Sequence, residues 1–354
     1  MGLIILFMFC GCSDYHEINN TAMVAGIAVD RGEEKKYNIS VEVIQPASAD
    51  SSSPTAKVLK EEGDNAEDCL KRLVNKATKE LRFSHCKLIL FSEEVAKEGV
   101  SSLIDGFLRN PEYRADLFLA VTHGKAEEML KTGEKEKRIS SFDFAKVIQN
   151  SFRETGSVPP TKLYQFVMDE GLSILPLFAK NEEQYSIVGS AGFRDGMIFT
   201  ELTLPQTQSV MLVSGEYRQG ELLLKTKKNT DIPCQIRSVS VAKRISDSDD
   251  LKIFAEIQCN VRLTSLPECF DISTAEGLQR AESEIADLLT EKIKADWERS
   301  VRENTSEIFG LSVYLFRHAP QVYERMSETD KIALELNCSV VLENVGFTDE
   351  RIVA

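Results

Sequence analysis

From Leu251 to Leu263 the chain alternates. Leu251, Ile253, Ala255, Ile257, Cys259, Val261 and Leu263 take one phase; Lys252, Phe254, Glu256, Gln258, Asn260 and Arg262 take the other. The pattern returns in Leu334, Leu336, Cys338, Val340 and Leu342, set against Glu335, Asn337, Ser339 and Val341. A period of two marks a strand with one dry face. Between the two runs, residues 275–299 place Leu278, Ala281, Ile285, Leu288, Leu289, Ile293 and Trp297 on one helical stripe, with Glu276 and Arg280 as an outer i,i+4 pair. At about 3.3 Å per residue the longer strand spans about 40 Å, and at 1.5 Å per residue the helix reaches about as far. The expectation is a C-terminal antiparallel sheet covered on one face by long helices, this one and a second over 312–325.

The N-terminal half mixes periods. Residues 21–29 and 36–44 read as strands joined by a turn at Asp30-Arg31-Gly32-Glu33. In the second, Tyr37, Ile39, Val41 and Val43 form the dry face, and Lys36, Asn38, Ser40 and Glu42 the wet one. Residues 46–56 read as an exposed loop and 64–82 as a helix with Asp64 as N-cap. Buried strands follow at 86–91 and 115–122. A helix capped by Ser92 runs from there to Phe107, another begins at Lys125, and TGEKEKR at 132–138 reads as a charged connection. Buried strands alternating with helices are an α/β signature. Short helices at 141–153 and 161–170 flank the Pro159-Pro160 joint. Residues 185–203 read as a hairpin turned at Arg194-Asp195-Gly196.

The start is different in kind. Met1 to Cys12 reads MGLIILFMFCGC and then turns polar. Such a run is too short to span a bilayer, and it reads as a secretion signal cut before Cys12, whose thiol is then lipidated. No later stretch has the roughly 18 apolar residues of a membrane helix. The net charge of −14 opposes nucleic acid and anionic headgroups, so acyl chains on Cys12 would have to supply membrane affinity. At 354 residues, more than one core is expected.

Few residues suggest reactions. The chain lacks G-x-G-x-x-G, a Walker loop, G-x-S-x-G and H-E-x-x-H. Cys69, Cys86, Cys234, Cys259, Cys269 and Cys338 include no C-x-x-C pair, and His16, His85, His123 and His318 are scattered. A zinc site is therefore not expected. Mostly free thiols are expected, although an even count in an exported chain permits disulfides. The carboxylate pairs Glu61-Glu62, Glu93-Glu94, Glu127-Glu128 and Glu182-Glu183 read as solvated faces, and so does Asp14-Tyr15-His16-Glu17. His85 and Cys86, as strand neighbours, point apart. Gly189-Ser190-Ala191-Gly192 reads as close packing.

Four blocks, in order, resemble one family. They are Cys12-Ser13-Asp14-Tyr15-His16-Glu17-Ile18-Asn19 with Met23 to Asp30; Phe83 to Gly99 with Phe107 to Arg114; Gly189 to Met197; and Glu307-Ile308-Phe309-Gly310 with His318-Ala319-Pro320. The chain resembles the Ger(x)C family, the lipoprotein C subunits of spore germinant receptors. Ser13 and His16 depart from the family's usual Trp and Arg. The resemblance implies a three-part α/β (α+β) lipoprotein: a leader at 1–12, a mixed α/β domain at 13–155, a middle subdomain at 156–205 and an α+β domain at 206–354. It implies a lipid anchor on Cys12 at the exported face of the cell or spore inner membrane. It further implies two integral-membrane partner subunits, of A and B type, and neither catalysis nor cofactor. The alternatives are a substrate-binding lipoprotein of an envelope transporter and a carboxylate-based envelope hydrolase.

Overall fold

The computed structural model describes residues 20–47, 53–169, 171–182, 184–226, 230–246, 251–265, 270, 272–324 and 332–343. Its first sheet has a parallel middle, in which β1 (Thr21–Arg31), β5 (Leu88–Ser92), β6 (Phe118–Thr122) and β7 (Leu172–Asn181) lie side by side. Antiparallel strands extend both edges: β2 (Tyr37–Gln45) and β3 (Thr55–Gly63) beyond β1, β8 (Gln184–Arg194) and β9 (Met197–Thr203) beyond β7. The short β4 (Glu80–Arg82) pairs with the start of β1.

Helices cover both faces. α1 (Ala66–Lys76), α2 (Glu93–Glu98), α3 (Ser101–Arg109) and α6 (Leu163–Met168) pack on one side, α4 (Ala126–Glu136) and α5 (Ser140–Asn150) on the other. β5 shows why its sequence is apolar throughout. Ile89 and Phe91 enter the first core, under α1–α3 and α6, while Leu88 and Leu90 pack on the sheet's other face under α4 and α5.

The wet face expected for β2 is covered too. Ser40 and Glu42 are fully buried, because α4 and α5 lie over that face. The Glu42 carboxylate accepts from the Ser140 and Ser141 amides at 2.7 and 2.8 Å. Asp30 likewise accepts from the Ala126 and Glu127 amides at 2.7 and 2.9 Å. A carboxylate from a strand thus satisfies the open N–H groups at the start of each helix. Burial pushes both carboxyls above their ordinary pKa, against the pull of those amides.

Several local expectations shift. Asn65, rather than Asp64, caps α1. Residues 55 and 56, at the end of the expected loop, open β3, an edge strand whose lysines and glutamates hide its period. Ser92 caps α2 as expected, but Gly99 at φ 114° ends that helix and α3 starts afresh. α4 runs on through Glu136, with Glu134, Lys135 and Glu136 exposed to water. The hairpin turn at Asp195-Gly196 stands as read, with φ of 51° and 81°.

The second sheet is ordered β10 (Gly220–Lys225), β11 (Asp231–Ile245), β12 (Lys252–Leu263) and β13 (Ala333–Leu342). The dry phases are as read: Ile253, Ala255, Ile257, Cys259, Val261 and Leu263 are buried, and so are Cys338, Val340 and Leu342. α8 (Ala275–Arg302) covers them with Ala281, Ile285, Leu289, Ile293 and Trp297. One expectation is corrected: β13 runs parallel to β12, from Lys252↔Ala333 to Val261↔Leu342. A helix as long as the strand carries the chain back to the strand's starting end, so the next strand repeats its direction. The expected 312–325 helix is divided by Pro320 into α9 (Leu311–His318) and α10 (Pro320–Tyr323).

Residues 156–205, expected as a middle subdomain, contribute β7–β9 to the first sheet and α6 to its cover. They also join the two cores. Leu175, Leu177, Ala191 and Phe193 pack in the first, Leu172, Ile174, Phe199 and Leu202 in that of the second sheet. Thr203 then caps α7 (Leu204–Ser214), whose Val210 to Val213 are buried in the second core.

Candidate functional site

A cleft of about 560 Å³ opens where the two sheets meet. Its walls come from the start of β7, the end of α7, β11 and α9. Leu172, Ile174, Val210, Val241 and Ile308 give it an apolar lining. The polar groups are placed by local structure. After α7 the Gly215, Glu216 and Tyr217 amides all donate to the Met211 carbonyl at 3.1, 2.9 and 3.0 Å, a tight turn that aims Glu216 into the cleft. On β11, Lys243 Nζ donates to the Ser214 carbonyl at 3.2 Å and lies 5.2 Å from the centre of the Tyr314 ring. Tyr314 Oη donates to the Lys243 carbonyl at 2.8 Å, and its ring lies 4.4 Å from that of His318, one helical turn on.

The concave setting shows in the charges. Burial pushes the Glu216 carboxyl up, with Asp169 adding to the shift and Lys243 and Arg218 opposing it. Burial lowers the Lys243 ammonium, against the attraction of Glu216. An exposed acid, Glu216, and a half-buried base of opposite charge, Lys243, thus face one cleft. They can pair with a small polar ligand or with a loop of another protein. The serines of the cleft are engaged elsewhere: Ser173 donates to Asp169 at 3.3 Å, and Ser214 to the Met211 carbonyl at 3.2 Å.

The sequence-read residues fall into place differently. Cys12 and the Asp14-Tyr15-His16-Glu17 cluster lie outside the described residues. His85 is exposed, whereas Cys86 is buried with its thiol on the Leu88 carbonyl and pushed up to about 12 by burial. Cys69, Cys234, Cys259 and Cys338 are also buried free thiols; Cys269 lies outside the described residues. Glu62 accepts from three consecutive amides, Glu33 to Lys35, which hold its carboxyl low. Glu127 is buried beside Lys60 and Lys131, whose hydrogen bonds outweigh desolvation and lower it. Glycine at 189 fits close packing, since a Cβ there would stand 1.9 Å from the Leu202 carbonyl oxygen. The Ser190 hydroxyl lies 2.7 Å from Thr207 Oγ1 and ties β8 to α7.

One group was not legible in the sequence. Glu93, His123 and Glu201 bring one ligand atom each to within 4.8 Å of one another. They come from three separate elements, so no spacing signals them.

Comparison with known proteins gives the frame. A model described as "Spore germination protein N-terminal domain" matches residues 14–178, and one described as "Spore germination B3/ GerAC like, C-terminal" matches 188–346. The chain belongs to the Ger(x)C family of spore germination proteins. Spore germination protein GerQC of Bacillus cereus is 20% identical over 314 residues, 86% of each chain. Spore germination protein KC of Bacillus subtilis (strain 168) is 27% identical over 139 residues, 36% of this chain and 34% of that protein. The crystal structure of the GerBC protein has the same fold, with a TM-score of 0.60 and 15% identity over 90% of this chain and 97% of that one. The seam between the two matched regions falls in the β7–β8 hairpin, and the cleft draws on both of them.

Proposed function

We propose that this chain is a non-enzymatic, lipid-anchored subunit of a membrane-bound spore germinant receptor. It stands on the exported face of the cell or spore inner membrane, with acyl chains on Cys12 as its anchor. Its partners are two integral-membrane receptor subunits, of A and B type. The observation that carries the reading is the ordered family match over 14–178 and 188–346. Two further observations support it. No described helix is long and apolar enough to cross a membrane, and a net charge of −14 disfavours adhesion to anionic headgroups. A diacylated, further acylated cysteine would supply the two or more chains that stable anchoring needs. Its contribution would be assembly and transmission between partners, with the cleft as a docking or ligand site.

Deleting the gene in a strain stripped of redundant receptors tests this. Germination with one nutrient class should be lost while vegetative growth stays normal. Unimpaired germination would count against the proposal. The cleft also favours a second reading, a substrate-binding lipoprotein of an envelope transporter. Tight calorimetric binding of an amino acid or sugar by the purified chain alone would favour that one.

A further inference from the structure

We propose that Glu93, His123 and Glu201 form a binding site for one divalent transition-metal ion of the Zn²⁺ or Mn²⁺ type. The proposal is independent of the receptor reading. Its first support is the convergence of side chains from three elements. Glu93 opens α2 at the end of β5, His123 follows β6 directly, and Glu201 lies in β9 opposite Ala191. The His123 imidazole Nε2 is 3.1 Å from Glu201 Oε2 and 3.8 Å from Glu93 Oε2. Ligands about 2.1 Å from a tetrahedral metal stand roughly 3.4 Å apart, midway between those two distances.

The second support is pre-organisation. Lys97 Nζ engages Glu93 through Oε1, which leaves Oε2 turned toward the imidazole. The His123 backbone is fixed at both ends: its amide donates to the Phe178 carbonyl at 2.9 Å, and its carbonyl accepts from Thr122 Oγ1 at 3.1 Å. Ligands carried on strand ends and held by outer hydrogen bonds are how metal sites are built.

The third support is charge. Nε2 carries at most one proton and can donate along one line only, yet two carboxylates face it. Lys97 offsets one of them, so the cluster retains negative charge that a divalent cation would neutralise. One imidazole with two carboxylates suits Zn²⁺, Mn²⁺ and their neighbours better than Ca²⁺, which takes six or more oxygens. The partial exposure of all three side chains leaves room for water as a fourth ligand. A bound ion would clamp β9, the strand leading into α7 and the second core, onto the ends of β5 and β6.

The test is calorimetry on the tag-free full-length chain in detergent, stripped with EDTA and titrated first with ZnCl₂ and then separately with CaCl₂. One zinc per chain is expected. Glu201→Gln, an isosteric change at an exposed site, should weaken binding at least tenfold, and His123→Ala should remove it. Both variants should melt like the wild type in EDTA, and only the wild type should melt higher with zinc. Absence of saturable one-to-one binding, equal affinity in the wild type and both variants, or a preference for calcium would each overturn the assignment.

Discussion

Gly189→Ala tests the joint between the two halves. A methyl at 189 would stand 1.9 Å from the Leu202 carbonyl oxygen and 3.0 Å from its carbon, both of them backbone atoms. An ordinary carbon–oxygen contact is about 3.3 Å, so β9 would have to retreat by about 1.4 Å. That strains the β8–β9 hydrogen bonds at the point where Thr203, paired with Gly189, caps α7. Overpacking of this kind costs about 1–3 kcal/mol, and a lost cross-strand hydrogen bond adds about 1 kcal/mol. We expect a loss of about 3 kcal/mol, or roughly 6–12 °C at about 2–4 °C per kcal/mol for a cooperative unit of this size. Gly192→Ala is the internal control. There the new methyl meets the Ile308 Cδ1 and Thr200 Cγ2 methyls at 2.6 and 2.7 Å, and the Ile308 end can rotate away. It should cost about 1 kcal/mol. Scanning calorimetry of the detergent-solubilised full chain gives both numbers. The reasoning fails if Gly189→Ala melts within about 2 °C of wild type, or if Gly192→Ala is the more damaging of the two.

Asp30 and Glu42 hold their protons more tightly in the folded chain than in the unfolded one, because burial raises both. Their stabilising share is therefore full below the ordinary carboxyl values of 3.8 and 4.5 and declines as pH rises through the raised folded values. Melting curves from pH 4 to 7 should show wild type losing ground to an Asp30→Asn, Glu42→Gln double variant as pH rises; a gap independent of pH would contradict this. Trp297→Ala removes a buried ring set edge-on to Phe309 at 5.2 Å and should cost about 3–5 kcal/mol in urea unfolding. Cys12→Ala should move the chain from the membrane fraction to the soluble one, and unchanged partitioning would remove the anchor from the account.

What could be read in advance follows from where the information lies. The Leu251–Leu263 alternation and the 275–299 stripe each record one element's exposure to water, and both survive in the fold. The direction of β13 depends on how far α8 carries the chain, which alternation does not encode. Alternation puts Glu42 on the wet face, since a carboxylate on a strand normally seeks solvent; in the fold two helix amides take the place of water. β3 shows no clear alternation because an edge strand carries the charges that protect it. The cleft and the Glu93–His123–Glu201 cluster assemble residues distant in sequence, among them Glu93 and Glu201. Such sites are made by topology, and no local pattern announces them.

The most direct test of the receptor reading is affinity purification of the tagged full-length chain from detergent-extracted spore membranes. The two integral-membrane subunits of the proposed receptor should co-purify with it in fixed ratio. Recovery of the chain alone, under conditions that preserve other membrane complexes, would contradict its place in a receptor.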